Sequence, residues 1–287
     1  DFPYWDVLRV KNEFGEGAHF HPTASASSLA ALRELASAEP LGGILCEMPS
    51  NPLLRCADIR GITNLLAGSD VPLIVDDTVA SSANISLAAH ADAITTSLTK
   101  CFSGVGDVMG GSVMLNAASP CYPALKSAMD AVYEPDLLWW EDAIVLERNS
   151  RDYAERVARM SSSAELLAEH LRSHPAVESI FYPKWETPEA YAEVRLEGGG
   201  YGALFSIVLK EPEHHTAKFF DALRVTKGPS LGTNYTLACP YTLLAHYPEL
   251  DWAESCGVSR WLVRVSVGLE DPGDLIERFD EALASSA

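Results

Sequence analysis

Short apolar runs alternate with amphipathic stretches through the first half of the chain. Residues 27–38 (SSLAALRELASA) repeat apolar positions at helical spacing, with serines placed to cap the first turn. Residues 43–47 (GILCE) form a short apolar run that predicts a buried strand, and residues 57–67 read as a helix. Buried strands are predicted again at 72–76 (PLIVD), 91–97 (ADAITTS) and 111–115 (GSVML). A β-α-β-α order of short apolar strands predicts a mostly parallel sheet covered on both faces.

The pattern changes near Ser119. Residues 124–174 are mostly helix-compatible, with an interruption near Pro135, and 142–171 reads as one long helix. Strands are predicted at 180–182 and 203–209, and a helix at 215–223. Residues 262–267 alternate in the strand manner, and 274–284 closes the chain as a helix. The reading is therefore an α/β unit over residues 1–145 and a smaller α+β unit over 146–287.

Composition narrows the class. With 287 residues, 47% hydrophobic and 21% charged, the chain is globular rather than disordered or low-complexity. No apolar run approaches the ~20 residues that span a bilayer. The start, Asp1-Phe2-Pro3-Tyr4-Trp5, has neither a basic nor an apolar leader segment, and no initiator Met, so a fragment or a processed chain is expected. The net charge of −19 disfavours nucleic acid and anionic membranes as partners. Six cysteines without CxxC or zinc-type spacing predict a reducing, cytoplasmic compartment and no metal site.

In open α/β sheets, ligands sit beyond the carboxyl ends of the strands. Three segments fall there: Glu47-Met48-Pro49-Ser50-Asn51-Pro52, Asp76-Asp77-Thr78 and Ser97-Leu98-Thr99-Lys100. An acid, an amide, hydroxyls and a lysine would meet on one rim. A partly desolvated lysine suits Schiff-base chemistry, and an Asp aimed at a pyridine nitrogen keeps it protonated. Taken singly, each residue also reads as a capping hydroxyl, a helix-capping Asp or a solvated lysine.

The ordered set of motifs carries a resemblance. The runs 47–55 (EMPSNPLLR), 75–78 (VDDT), 97–100 (SLTK), 106–111 (GDVMGG), 228–232 (GPSLG) and 262–270 (LVRVSVGLE) resemble the Cys/Met-metabolism family of pyridoxal-phosphate enzymes, the cystathionine γ-synthase-like group. The segments 240–246 (PYTLLAH) and 181–185 (FYPKW) resemble its fungal branch. The resemblance covers essentially the whole chain. It implies a fold-type I, aspartate-aminotransferase-like architecture and pyridoxal 5'-phosphate as cofactor. Lys100 would attach the cofactor, Asp76 would pair with the pyridine nitrogen, and Ser97 and Thr99 would bind the phosphate. Asn51 would lie near the phenolic oxygen and the substrate. Arg264 would clamp the α-carboxylate bidentately, as a guanidinium can and an ammonium cannot. Ser230 would sit beside Lys100. Phe2, with Tyr4 as the alternative, would stack on the ring. Two positions depart from the family pattern: Cys101 replaces an aromatic and Asp77 replaces an Asn. The family's N-terminal Ser-Gly-Met-type loop and its Tyr/Arg arm are not found in this sequence, and the chain is expected to begin just past them.

Other features read more simply. Gly198-Gly199-Gly200-Tyr201-Gly202 lacks the order of a nucleotide loop and predicts a flexible turn. His214-His215 reads as a solvated pair, His246 as a packed or rim histidine, and Trp139-Trp140 as core or subunit packing. Asp142, Glu147 and Arg148 read as a solvated helix face. The resemblance implies γ-replacement on an O-acylhomoserine by a thiol, as in transsulfuration and methionine metabolism, in a homodimer or homotetramer acting on small amino acids. The alternatives are a β- or γ-lyase on cystathionine or methionine, γ-replacement by a carbon nucleophile, and a non-catalytic paralogue or inactive fragment. A nicotinamide dehydrogenase would need a glycine fingerprint where Pro49-Ser50-Asn51-Pro52 stands.

Overall fold

The computed structural model describes residues 7, 13, 15, 17–22 and 26–286. Helix α1 (Ala26–Ala38) leads into β1 (Ile44–Glu47), α2 (Ile59–Leu66), β2 (Leu73–Asp76), β3 (Ala93–Ser97) and β4 (Gly111–Leu115). The α2 start is fixed by Asp58, whose carboxylate accepts from the Gly61 N–H at 2.8 Å. Strands β1, β2 and β3 are parallel and in sequence order. Strand β4 joins the edge antiparallel to β3. Cys46, Val75 and Ile94 point into one core with Ile59 and Ile62 of α2. The register places Glu47 beside Asp76 and Asp76 beside Thr95, on the alternate positions. The expected coverage of both faces fails at β4: residues 111–114 are exposed, as befits an edge strand held on one side only among the described residues.

The long helix expected over 142–171 is two helices, α4 (Trp140–Ser150) and α5 (Tyr153–Arg172), after α3 (Tyr122–Val132). No Pro or Gly marks the break. The Asn149 carbonyl accepts from the Arg156 guanidinium at 3.3 Å, the place a helical N–H would take. Helix α5 buries Val157, Met160, Ala164, Leu167 and Leu171, an i, i+3, i+7 stripe. It packs with α8 (Pro212–Ala222) and α11 (Pro272–Ser286) against a second sheet. That sheet has the order β5 (Val177–Phe181), β6 (Leu204–Leu209), β9 (Val263–Ser266), β8 (Leu237–Cys239), β7 (Thr226–Lys227). The strand expected at 262–267 is present. It is β9, central in its sheet and buried on both faces, so its arginine, Arg264, lies inside the protein.

The two sheets are joined through short elements that periodicity did not predict: α6 (Pro183–Glu186), α7 (Pro188–Val194), α9 (Tyr241–Ala245) and α10 (Leu250–Ser255). Tyr191 and Val194 of α7 enter the core of the first sheet. The glycine turn at 198–202 is packed rather than free: Gly200 N–H donates to Asn84 Oδ1 at 2.8 Å, and Gly202 carbonyl accepts from Tyr182. Among the described residues no helix is long and apolar enough to cross a membrane.

Candidate functional site

The rim forms where β1, β2 and β3 end. After β3 the chain makes one wide π-type turn, Leu98–Phe102, in which Lys100 itself leaves helical geometry (φ −87°, ψ −124°). A buried guanidinium holds this turn. Arg156 Nη2 donates to the carbonyls of Cys101 (3.1 Å), Phe102 (2.9 Å) and Ser103 (3.2 Å). Gly232 presses on the other side. It has φ +77°, and a Cβ there would stand 2.5 Å from the Cys101 nitrogen, so only glycine fits. The Thr99 hydroxyl accepts from Gly110 N–H at 3.1 Å, tying the turn to the loop before β4.

Lys100 Nζ donates to Ser230 Oγ at 3.2 Å. Burial, and then the nearby Arg264 charge, hold its ammonium below the usual lysine value. Arg264 is 3% exposed. Its guanidinium donates to Asn51 Oδ1 (3.1 Å) and to the carbonyls of Ser230 (3.1 Å) and Pro229. The Tyr241 ring lies 4.9 Å from its Cζ, and the Tyr241 hydroxyl accepts from Asn51 Nδ2 at 3.5 Å. Asn51 reaches this arginine because its loop is locked into the second half. Pro52 carbonyl accepts from Ser206 Oγ of β6 at 2.8 Å, and Leu53 packs with Tyr241, Cys239 and Leu262. The same loop carries cis peptide bonds at Met48–Pro49 and Asn51–Pro52.

Asp76 stands at the end of β2 with both oxygens held. Oδ1 accepts from Thr78 N–H at 2.9 Å and Oδ2 from the Thr95 hydroxyl at 3.1 Å. Ser97 N–H donates to Thr78 Oγ1 at 2.8 Å. Asp77 turns inward, is buried, and accepts from the Thr96 hydroxyl. Burial raises the Asp77 carboxyl to about 6, with the Asp76 charge adding to the shift.

The structure thus brings Asn51, Lys100, Ser230 and Arg264 into one connected cluster, and joins Asp76 to Ser97 through Thr78. Phe2 and Tyr4 lie outside the described residues. Three residues that the sequence reading passed over matter here: Arg156, Tyr241 and Thr95. Tyr241 stood in a quoted motif without a role, and the other two gave no signal in one sequence. His246 is the packed histidine expected, buried between Tyr241 and Trp252 with Glu249 Oε1 3.0 Å from Nδ1. His215 is not solvated as expected. Its Nδ1 lies 2.6 Å from the Ser286 carbonyl, because α8 packs against the end of α11. Trp139 and Trp140 are not core, being 55% and 63% exposed. All six cysteines are free and buried, and burial pushes Cys46 and Cys56 up to about 12 and Cys101 to about 11.

Comparison with known proteins identifies the family and the fold. Residues 10–284 match the family described as Cys/Met metabolism PLP-dependent enzymes. A cystathionine gamma-synthase of Neurospora crassa is 46% identical over 285 residues, covering 98% of this chain and 46% of that one. A crystal structure of cystathionine gamma synthase from Xanthomonas oryzae superposes with TM-score 0.84 at 28% identity, over 98% of this chain and 72% of that one. A cystathionine gamma lyase from Micromonospora echinospora superposes equally well (0.84, 27% identity, 99% and 75%). The chain spans about half the length of the curated relatives it matches. Its fold is that of the fold-type I pyridoxal-phosphate enzymes. The donor set fits the cofactor. A desolvated amine, a carboxylate and hydroxyl-bearing residues lie along the ends of adjoining strands, the donor types that an aldehyde, a pyridine nitrogen and a phosphate would take. The chain belongs to the Cys/Met metabolism family of PLP-dependent enzymes.

Proposed function

We propose that this chain carries the reaction centre of a cystathionine γ-synthase-like transferase, which replaces the γ-acyloxy group of an O-acylhomoserine with a thiol. The observation that carries the reading is the Lys100–Ser230–Arg264 cluster: a half-buried amine beside a buried arginine fork. Bound pyridoxal phosphate supplies an electron-withdrawing ring that spreads the charge left when the substrate loses its Cα proton. Lys100 would attach the cofactor through Nζ; as a free amine it would take the substrate's Cα proton, pass that proton on to the cofactor, and so be free to take the Cβ proton. Its lowered proton affinity keeps more of the amine in the basic form. Ser230 accepts from Nζ and holds it on the reacting side. Arg264 would bind the α-carboxylate, and Asn51 holds its guanidinium by accepting from Nη1. Asp76 holds a proton at the pyridine nitrogen. Ser97 and Thr99 are assigned to the phosphate and Phe2 to the ring face.

The assembly assigned is a homodimer or homotetramer. Its support is the exposed apolar side chains gathered in residues 132–144: Val132, Tyr133, Leu137, Trp139, Trp140 and Ile144. Six buried free thiols support a cytoplasmic setting. The division between the two units is assigned near residue 145; one sheet on each side of that point supports it. A second reading is a lyase, supported by the equal superposition of the lyase structure. The test supplies O-acetyl- or O-succinylhomoserine with cysteine and quantifies cystathionine and 2-oxobutanoate. Cystathionine as the main product supports replacement. 2-Oxobutanoate from added cystathionine assigns the lyase, and neither product overturns both.

A further inference from the structure

Three consecutive residues of one strand end are bonded to three consecutive residues of the next. The Thr95 hydroxyl donates to Asp76 Oδ2 (3.1 Å), the Thr96 hydroxyl donates to Asp77, and Ser97 N–H donates to Thr78 Oγ1 (2.8 Å). Each pair is separated by 19 residues, because β2 and β3 run parallel in fixed register with Asp76 opposite Thr95. The rungs alternate in direction. Val75 and Ile94 enter the core, Asp76 and Thr95 face the other side of the sheet, and Asp77 turns back to the buried side.

A carboxylate that meets a flat ring nitrogen must present a lone pair in a set plane. An Asp at a strand end can rotate about its last side-chain bond, which is broad and weakly restrained. Here that rotation is fixed by one donor on each oxygen: the Thr78 N–H on Oδ1 and the Thr95 hydroxyl on Oδ2. The backbone donor comes with the turn and would be there for any residue but proline at 78. The hydroxyl donor depends on Thr95 alone. A serine would keep it; a valine of the same shape would not.

We infer that Thr95 is a positioning residue for the cofactor: its hydroxyl sets the plane in which the Asp76 carboxylate meets the pyridine nitrogen. The inference rests on the reading of Asp76 as that nitrogen's partner. Thr95 acts through Asp76 and touches no reacting atom.

The test compares wild type with Thr95→Val, Thr95→Ser, Asp76→Ala and the Asp76→Ala/Thr95→Val double variant. Three quantities are measured: the dissociation constant for pyridoxal phosphate, the 15N shift of the labelled pyridine nitrogen, and the melting temperature without cofactor. Losing one hydrogen bond to a charged group predicts about tenfold weaker cofactor binding in Thr95→Val, with the nitrogen signal moved toward the unprotonated form. Thr95→Ser restores both to near wild type. Melting without cofactor stays within ~2 °C, since the substitution is isosteric and partly exposed. In the Asp76→Ala background, Thr95→Val has no further effect, because the pair forms one unit. An unchanged Thr95→Val, or one whose loss adds in full to that of Asp76→Ala, overturns the inference. If Asp76→Ala leaves the affinity and the nitrogen signal at wild-type values, or wild type takes up no cofactor, the underlying reading of Asp76 fails and the inference with it.

Discussion

Two parts of the site are built in different ways. The Asp76–Lys100 rim is assembled by adjacent parallel strands and by side chains 19 residues apart. The Asn51–Ser230–Arg264 cluster is assembled across the molecule, between residues separated by 213 positions in the case of Asn51 and Arg264. The rim depends on local register. The cluster depends on the docking of one half of the chain on the other through Pro52, Leu53 and Tyr241. Lys100 belongs to both: its backbone sits in the rim and its amine reaches the cluster through Ser230. A damaged rim should therefore show first in cofactor binding. A damaged cluster should show first in substrate binding and in the proton affinity of Lys100.

The largest effect is expected where the two parts meet. Lys100→Ala removes both cofactor attachment and the base, and turnover should fall at least ~1,000-fold with the fold retained. Steady-state kinetics beside a thermal melt checks this. Next comes the anchor that holds the rim's turn to α5. Arg156→Met leaves the buried carbonyls of Cys101, Phe102 and Ser103 without their shared donor, at a cost of about 3–4 kcal/mol in urea unfolding. The cluster is probed by Arg264→Leu. Substrate binding should weaken by about 3 kcal/mol, roughly a hundredfold in KM. Removal of a neighbouring cation also favours the charged amine, so the acid limb of the pH–rate profile should move to higher pH. Arg264→Lys should recover little, because an ammonium cannot form the fork to Asn51 and the Ser230 carbonyl.

The smallest effect lies below the rim. Asp77 binds its proton more tightly when folded, near 6, than an ordinary Asp near 3.8. A raised folded value means that the stabilising contribution is complete below the unfolded pKa and is lost as pH rises through about 6. Asp77→Asn should therefore stabilise the chain at pH 8, by up to ~3 kcal/mol. The difference should shrink steadily below pH 6 and vanish only below the ordinary Asp value of 3.8. Denaturant melts at several pH values test the sign, and a difference independent of pH would contradict it.

The same division explains what the sequence could reveal. The strands at 44–47, 73–76, 93–97 and 111–115 were legible, because a short apolar run bounded by turn residues has few other fates. With the strands came the rim, since parallel order alone brings their carboxyl ends together. Arg264 was different. Its strand reads as alternating, and only its central place in the second sheet buries it, so its role came from resemblance rather than from pattern. The break between α4 and α5 was hidden because the side chain that caps it, Arg156, lies four residues beyond it. Thr95 and Tyr241 act through contacts that no spacing encodes. The conformation of Lys100 in its turn arises from Arg156 and Gly232 on either side, both distant in sequence.

The most direct measurement is chemical. The protein is mixed with pyridoxal phosphate, its visible spectrum recorded, the adduct reduced with borohydride, and the peptides mapped. The account predicts a Schiff-base absorbance and a single phosphopyridoxyl label on Lys100, absent in Lys100→Ala. A label on Lys126, Lys184 or Lys227 instead, or one that survives in Lys100→Ala, would contradict it.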